Sequence, residues 1–222
     1  RWQSIISEGF IMATKKRLDR RKKYENDANP YFDQHNRANV IKVFPGDFMV
    51  TAEPSDMLVT TLGSCVSACI RDPRTGFGGM NHFMLPTSDD ATTWSGPSQS
   101  LRYGNHAMEA LINEIMRSGC PREDLEIKVF GGGNVITSTN AIGSNNANFV
   151  LKYLKNEGLH VDVKDLGGNY PRRIHYFPAT GIVNRLLLKR SSDNDLVERE
   201  ESEYSKKMGK DKNRLDVEFF YD

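Results

Sequence analysis

Between Val40 and Leu188 the chain runs through short β-type segments interrupted by only two helical ones, in the rough order β, ββ, α, β, α, β, ββ. That order excludes a helix bundle. It is also not the regular alternation that builds a parallel βαβ array. It predicts an α+β (mixed α/β) fold, a layered mixed β-sheet with two main packed helices. With 222 residues, 38% of them hydrophobic, the chain has apolar matter for one core and a single domain.

The segments are specific. VIKVFPGDFMVTA offers one or two strands broken at Pro45-Gly46, and MLVTTLG reads as a strand or buried turn entry. CVSACIRD and GFGGMNHFML read as two strands across a tight turn, where Pro73 presets φ and Gly76 tolerates φ > 0. Residues 98–118 form the clearest helix: Leu101, Met108, Leu111, Ile112, Ile115 and Met116 share one face, and Gly119 and Pro121 stop it. LEIKVFGGG follows as a strand. A second helix starts near Ser144 as N-cap, buries Phe149, Val150, Tyr153 and Leu154, and ends at Gly158. LHVDVKDL is a strand, and RRIHYF with GIVNRLLL makes a hairpin around Pro178 to Gly181.

The flanks differ. Lys15 to Lys23 holds seven basic residues and one acid, and the polar stretch after it lacks periodicity. Residues 1–38 are therefore read as a mostly disordered basic and polar tail, 39–190 as the folded domain, and 191–222 as a charged extension ending in VEFF, a possible docking strand. Met12 opens MATKKRLDRR, so residues 1–11 are read as upstream of the natural start. A net charge of +1 removes the whole-protein argument for nucleic acid, and the basic run reads as a solvated tail. No segment is long and apolar enough to span a membrane. Three cysteines are no disulfide framework, which points to a reducing, cytoplasmic setting and to free thiols.

One of those thiols has a partner. With the hairpin turn centred between Pro73 and Arg74, Cys69 faces Gly78, Ser67 faces Met80 and Cys65 faces His82. Directly opposed residues share a face, and an imidazolium beside a thiol stabilises the thiolate. A one-residue slip would send His82 to the other face. Cys65 follows Leu62-Gly63-Ser64, a small-residue turn whose backbone N–H groups, with Ser64 and Gly63 shaping the loop, suit an oxyanion hole. Thr60, Thr61 and Asn81 are each placed to orient an imidazole. Cys69 reads as core and Cys120 as incidental. A metal site at Cys65, Cys69 and His82 lacks a fourth ligand. GGGN at 131–134 is neither GxGxxG nor a P-loop, so close backbone packing or a loop lining the site suits it better than phosphate binding. GGNYPRR at 167–173 reads as a polar-substrate loop or as a turn with solvated charges.

LVTTLGSCVSACIRDPRTGFGGMNHFMLP, with KVFGGGNV, IGSNNANFV and DLGGNYPRRIHYFPATGIV, closely resembles the CheD family of chemoreceptor glutamine deamidases, over roughly residues 30–190. The resemblance implies a cysteine-hydrolase-like domain with a Cys-His-Thr triad. Cys65 matches the nucleophile and His82 the base, with Thr60 before Thr61 for the third member. It implies conversion of receptor glutamines to glutamates through a thioester, with no metal or organic cofactor. The implied partners are cytoplasmic regions of methyl-accepting chemoreceptors and, in part of the family, a CheC-type phosphatase. Asn145 stands where the family often has Arg. The competing reading is a non-catalytic module that binds a receptor or phosphatase through the same face.

Overall fold

The computed structural model describes residues 31–86, 97–135 and 142–210. The expected mixed α+β architecture is present, divided between two five-stranded sheets. The strands are β1 (Tyr31–Asp33), β2 (Ala38–Lys42), β3 (Phe48–Thr51), β4 (Asp56–Leu62), β5 (Val66–Arg71) and β6 (Gly78–Asn81), then β7 (Glu126–Gly131), β8 (Val163–Leu166), β9 (Arg172–Phe177) and β10 (Ile182–Leu187). The helices are α1 (Pro97–Met116), α2 (Ile142–Asn156) and α3 (Ser191–Lys210). One sheet runs β1-β2-β4-β9-β10 and the other β3-β6-β5-β7-β8. β2 with β4 and β7 with β8 pair in parallel, and the remaining neighbours are antiparallel.

Strand alternation makes the layers. On β5, Val66, Ala68 and Ile70 turn toward a core shared with Met108, Leu111, Ile112 and Ile115 of α1 and Phe149, Val150 and Leu154 of α2. Cys69, and Cys65 just before the strand, turn to the opposite side. There they meet Leu58, Leu62, Ile174 and Tyr176 of the other sheet. The order is thus sheet, sheet, helices, and Cys65 lies between the two sheets.

Two expectations, at Leu101 and Ser144, need correction. Leu101 is 50% exposed although its spacing puts it on the apolar face of α1, whereas at Gly104 the helix already packs against Phe149 and Leu85. Ser144 lies inside α2, which begins at Ile142. At the end of the polar tail, β1 pairs with β2. The Asp33 carboxylate there accepts the His35 and Asn36 N–H groups, and Arg37 takes φ 50, so turn chemistry closes a hairpin. The charge-dense run after 190 is a helix, being rich in good helix formers. Its VEFF end, the basic run at 15–23 and everything before 31 lie outside the described residues. Among the described residues no helix is long and apolar enough to cross a membrane.

Candidate active site

The turn from β4 to β5 presents Gly63, Ser64 and Cys65. A second glycine loop fixes its shape. Gly132 N–H donates to the Cys65 carbonyl at 2.7 Å, and Gly133 N–H to the Gly63 carbonyl at 2.7 Å. Gly131 takes φ +108, and a Cβ there would come within 2.1 Å of the Cys65 carbonyl oxygen. The GGGN segment is therefore a close-packed brace under the turn. Asn146, fully buried on α2, donates to the Ser64 carbonyl at 2.8 Å and accepts the Leu85 N–H at 2.8 Å.

The hairpin register differs from the expected one. Cys69 pairs with Met80, Ile70 with Gly79, and Val66 bridges to Phe83. The turn therefore centres between Arg74 and Thr75. Asp72 pairs with Phe77 and its carboxylate accepts the Arg74 N–H, while Gly76 closes the loop at φ +71. This left-handed glycine lets a four-residue loop replace the tighter turn. Cys65 and His82 are consequently diagonal rather than opposed. The shift is by two positions, an even number, so they keep a common face.

The His82 backbone turns to the β3 side of β6, while Phe83 next to it bridges to Val66 of β5. The His82 N–H donates to the Asp47 carbonyl at 2.9 Å, and its carbonyl accepts the Gly46 N–H at 2.7 Å. Its ring reaches across to the other sheet, where Thr60 Oγ1 lies 2.7 Å from Nδ1. The Thr60 hydroxyl donates to the Val43 carbonyl at 2.8 Å. Having given up its one proton, it accepts from His82, which fixes the Nδ1–H tautomer. Nε2 is then the bare, basic nitrogen, and it has no hydrogen-bond partner among the described residues. Burial pushes His82 down to about 4, so the ring is neutral at pH 7.

Thr61 lies on the opposite face of β4, away from His82. Asn81 does not orient the imidazole either. Its Oδ1 accepts the Ala68 N–H at 2.8 Å and its Nδ2 donates to the Ala107 carbonyl at 3.0 Å, pinning β5 to α1. Cys69 is buried between the sheets and its thiol is pushed up by burial. Cys120 donates to the Pro121 carbonyl. Arg172, buried and paired with Asp165 at 2.9 Å, holds the second glycine loop rather than facing solvent. Asn145 is exposed on α2.

The donors at the turn are occupied from within the chain. Glu201 of α3 inserts its carboxylate: Oε1 accepts the Gly63 and Cys65 N–H groups at 3.0 Å each, and Oε2 accepts the Ser64 N–H at 3.0 Å and the Ser64 hydroxyl at 2.6 Å. Cys65 is fully buried beneath it. Burial, reinforced by the Glu201 charge and a hydrogen bond to it, pushes the Cys65 thiol well up. The expected thiolate held by an imidazolium is therefore not the state seen here: both partners are neutral. Glu201, Val43 and Asn146 escaped the sequence reading. Val43 acts through its backbone, and nothing local separates Glu201 from its acidic neighbours. Asn146 sits in the GSNNANF stretch, where a buried face of α2 was the available signal.

A family profile described as "CheD chemotactic sensory transduction" matches residues 84–185. A protein of Rhodopseudomonas palustris (strain BisA53), named "Probable chemoreceptor glutamine deamidase CheD", is 53% identical over 178 residues, covering 80% of this chain and 83% of that one. A protein of the same name from Methylobacillus flagellatus is 47% identical over 194 residues, covering 86% and 95%. Another from Halorhodospira halophila is 47% identical over 176 residues, covering 78% and 81%.

Proposed function

This chain belongs to the CheD family, and on that premise we propose that it is a chemoreceptor glutamine deamidase, a cysteine amidohydrolase acting on protein glutamine side chains. One observation carries the reading: a neutral imidazole whose tautomer is fixed by Thr60 shares a buried face with Cys65, whose turn aims three backbone N–H groups at one pair of oxygens.

The steps follow from those positions. His82 Nε2 takes the Cys65 thiol proton as Sγ attacks the glutamine carboxamide carbon. The carbonyl oxygen becomes an oxyanion held by the Gly63 and Cys65 N–H groups. His82 returns the proton to the departing ammonia, and a thioester to Cys65 remains. Water, deprotonated by His82, attacks that carbon; Sγ leaves and regains a proton, and glutamate is released. Thr60 keeps Nε2 basic and aimed throughout. The partners on this reading are cytoplasmic regions of chemoreceptors.

The test is incubation of a chemoreceptor cytoplasmic fragment with the protein and with Cys65→Ala, followed by peptide mass. Replacing –NH2 by –OH adds about 1 Da at each modified glutamine with the active nucleophile alone. Binding of the fragment without any mass change would sink the enzyme reading.

A further inference from the structure

α3 carries one carboxylate that the helix itself does not explain. Asp195, Glu198, Arg199, Glu203 and Lys206 are exposed, as a charge-dense helix requires, whereas Glu201 is 3% exposed. A buried carboxylate is costly unless donors satisfy it. Here a turn and a hydroxyl do so rather than a cation: all four donors belong to Gly63, Ser64 and Cys65.

The helix is seated, not merely adjacent. Val197, Glu201 and Tyr204, at i, i+4 and i+7, form one stripe. Val197 is 3% exposed and lies over Gly63, where an added Cβ would come within 2.8 Å of Val197 Cγ1 and 3.0 Å of Glu201 Oε1. The Tyr204 ring lies over Gly46, where an added Cβ would meet its hydroxyl at 2.7 Å, and that hydroxyl bonds to the Tyr103 hydroxyl. Lys42 and Glu200 pair at 3.7 Å on the rim. The glycines leave room for a helix, and the donors meet a glutamyl carboxylate, which is the chemical group that glutamine hydrolysis leaves behind.

We propose that α3 is a built-in substrate analogue: it occupies the groove that accepts a chemoreceptor helix, with Glu201 in the glutamine subsite as the product carboxylate, and it must leave before a receptor glutamine can enter. This rests on the deamidase reading above. It specifies the substrate as a glutamine on an α-helix, flanked by an apolar residue four positions before and a large side chain three positions after. Oε1, between the Gly63 and Cys65 N–H groups, marks the carbonyl oxygen.

The proposal makes residue 201 a substrate when it is glutamine. In full-length Glu201→Gln protein, Cys65 Sγ bonds to the side-chain carbonyl carbon, the C–N bond breaks, and ammonia leaves with the thiol proton carried by His82. Water then splits the thioester, restoring the thiol and leaving glutamate at 201. The peptide spanning 201 gains about 1 Da at a rate independent of protein concentration, and not at all when Cys65→Ala is added. In parallel, Glu201→Ala and Tyr204→Ala, the latter remote from the donors, deamidate a receptor fragment about tenfold faster than the unaltered chain, the gain expected when a site occluded about nine-tenths of the time is freed.

If Glu201→Ala or the unaltered chain deamidates the fragment, while Gln persists at 201 and Tyr204→Ala leaves the rate unchanged, α3 is no substrate analogue and the deamidase reading survives. Conversion at 201 that accelerates with protein concentration places the event between copies and also overturns the proposal. If no variant acts on either glutamine, the deamidase reading itself fails.

Discussion

Thr60 Oγ1 stands 2.7 Å from His82 Nδ1 and 2.8 Å from the Val43 carbonyl oxygen, with one proton to serve two contacts. The carbonyl can only accept, so the imidazole must donate from Nδ1, which leaves Nε2 as its basic nitrogen. A single hydroxyl thus couples the backbone between β2 and β3 to the protonation pattern of a ring on the other sheet.

Thr60→Ala therefore lowers deamidase kcat by about 10- to 100-fold with little change in KM, since the ring loses its fixed tautomer and not its substrate contacts. Thr60→Ser, which keeps the hydroxyl, restores most of the rate. Thr61→Ala, on the other face of β4, changes kcat little. Steady-state kinetics on a receptor fragment checks all three, and equal losses at 60 and 61 would contradict the assignment.

His82 makes stability depend on pH. Burial lowers its folded pKa to about 4, below the unfolded 6.5. Between those values the unfolded chain binds the extra proton, so this contribution is complete above pH 6.5 and is lost as pH falls toward about 4. Thermal melts should show a fall in Tm across that window that is reduced in His82→Gln. Parallel curves for the two proteins would count against a buried neutral imidazole.

Cys65 resists alkylation while α3 is seated. Its side chain is fully buried and its thiol is pushed well up by burial and by Glu201. Iodoacetamide at pH 7 should modify Cys65 slowly in the unaltered chain and faster in Tyr204→Ala, with Cys69 inert in both. Mass mapping reads each site. Rapid labelling of Cys65 in the unaltered chain would show the helix to be unseated in solution.

Gly131→Ala forces a Cβ to within 2.1 Å of the Cys65 carbonyl oxygen at φ +108. Strain and clash together cost about 3 kcal/mol or more and shift the turn that carries the nucleophile. Gly119→Ala has a similar φ of +93 but, among the described residues, nothing within 4 Å. It costs about 1 kcal/mol, the backbone penalty alone. Urea unfolding of the pair separates the two terms, and equal midpoints would refute the close-packed brace.

Asn146→Ala leaves the Ser64 carbonyl and the Leu85 N–H without their buried partner. A loss of about 2–3 kcal/mol is expected, with Asn146→Asp no better because a carboxylate cannot donate to the Ser64 carbonyl. Denaturant midpoints check it.

Much of the fold was readable because the relevant forces are local. Period-two alternation places Cys65 and Cys69 on one side of β5 and Val66, Ala68 and Ile70 on the other. The same alternation separates Thr60 from Thr61, although it could not say which face met the imidazole. The α1 stripe from Met108 to Ile115 followed from its 3.6 spacing, and its Leu101 end did not, because spacing fixes an angle and not what lies beneath it.

The amino-acid sequence by itself determined the core strands and the first two helices, the even spacing that keeps Cys65 and His82 on one face, and the small-residue turn that supplies the donors. These depend on side-chain period and on residues within a few positions of one another. Tertiary structure decided the rest. The hairpin register moved by two positions because Gly76 and the Asp72 carboxylate close a longer loop. The choice of Thr60 awaited the packing of one sheet against the other. Glu201 reaches Cys65 across 136 residues of chain. Its neighbours Glu200 and Glu203 are chemically identical, so only the seating of α3 over Gly63 and Gly46 selects which carboxylate is drawn out of water and into the site.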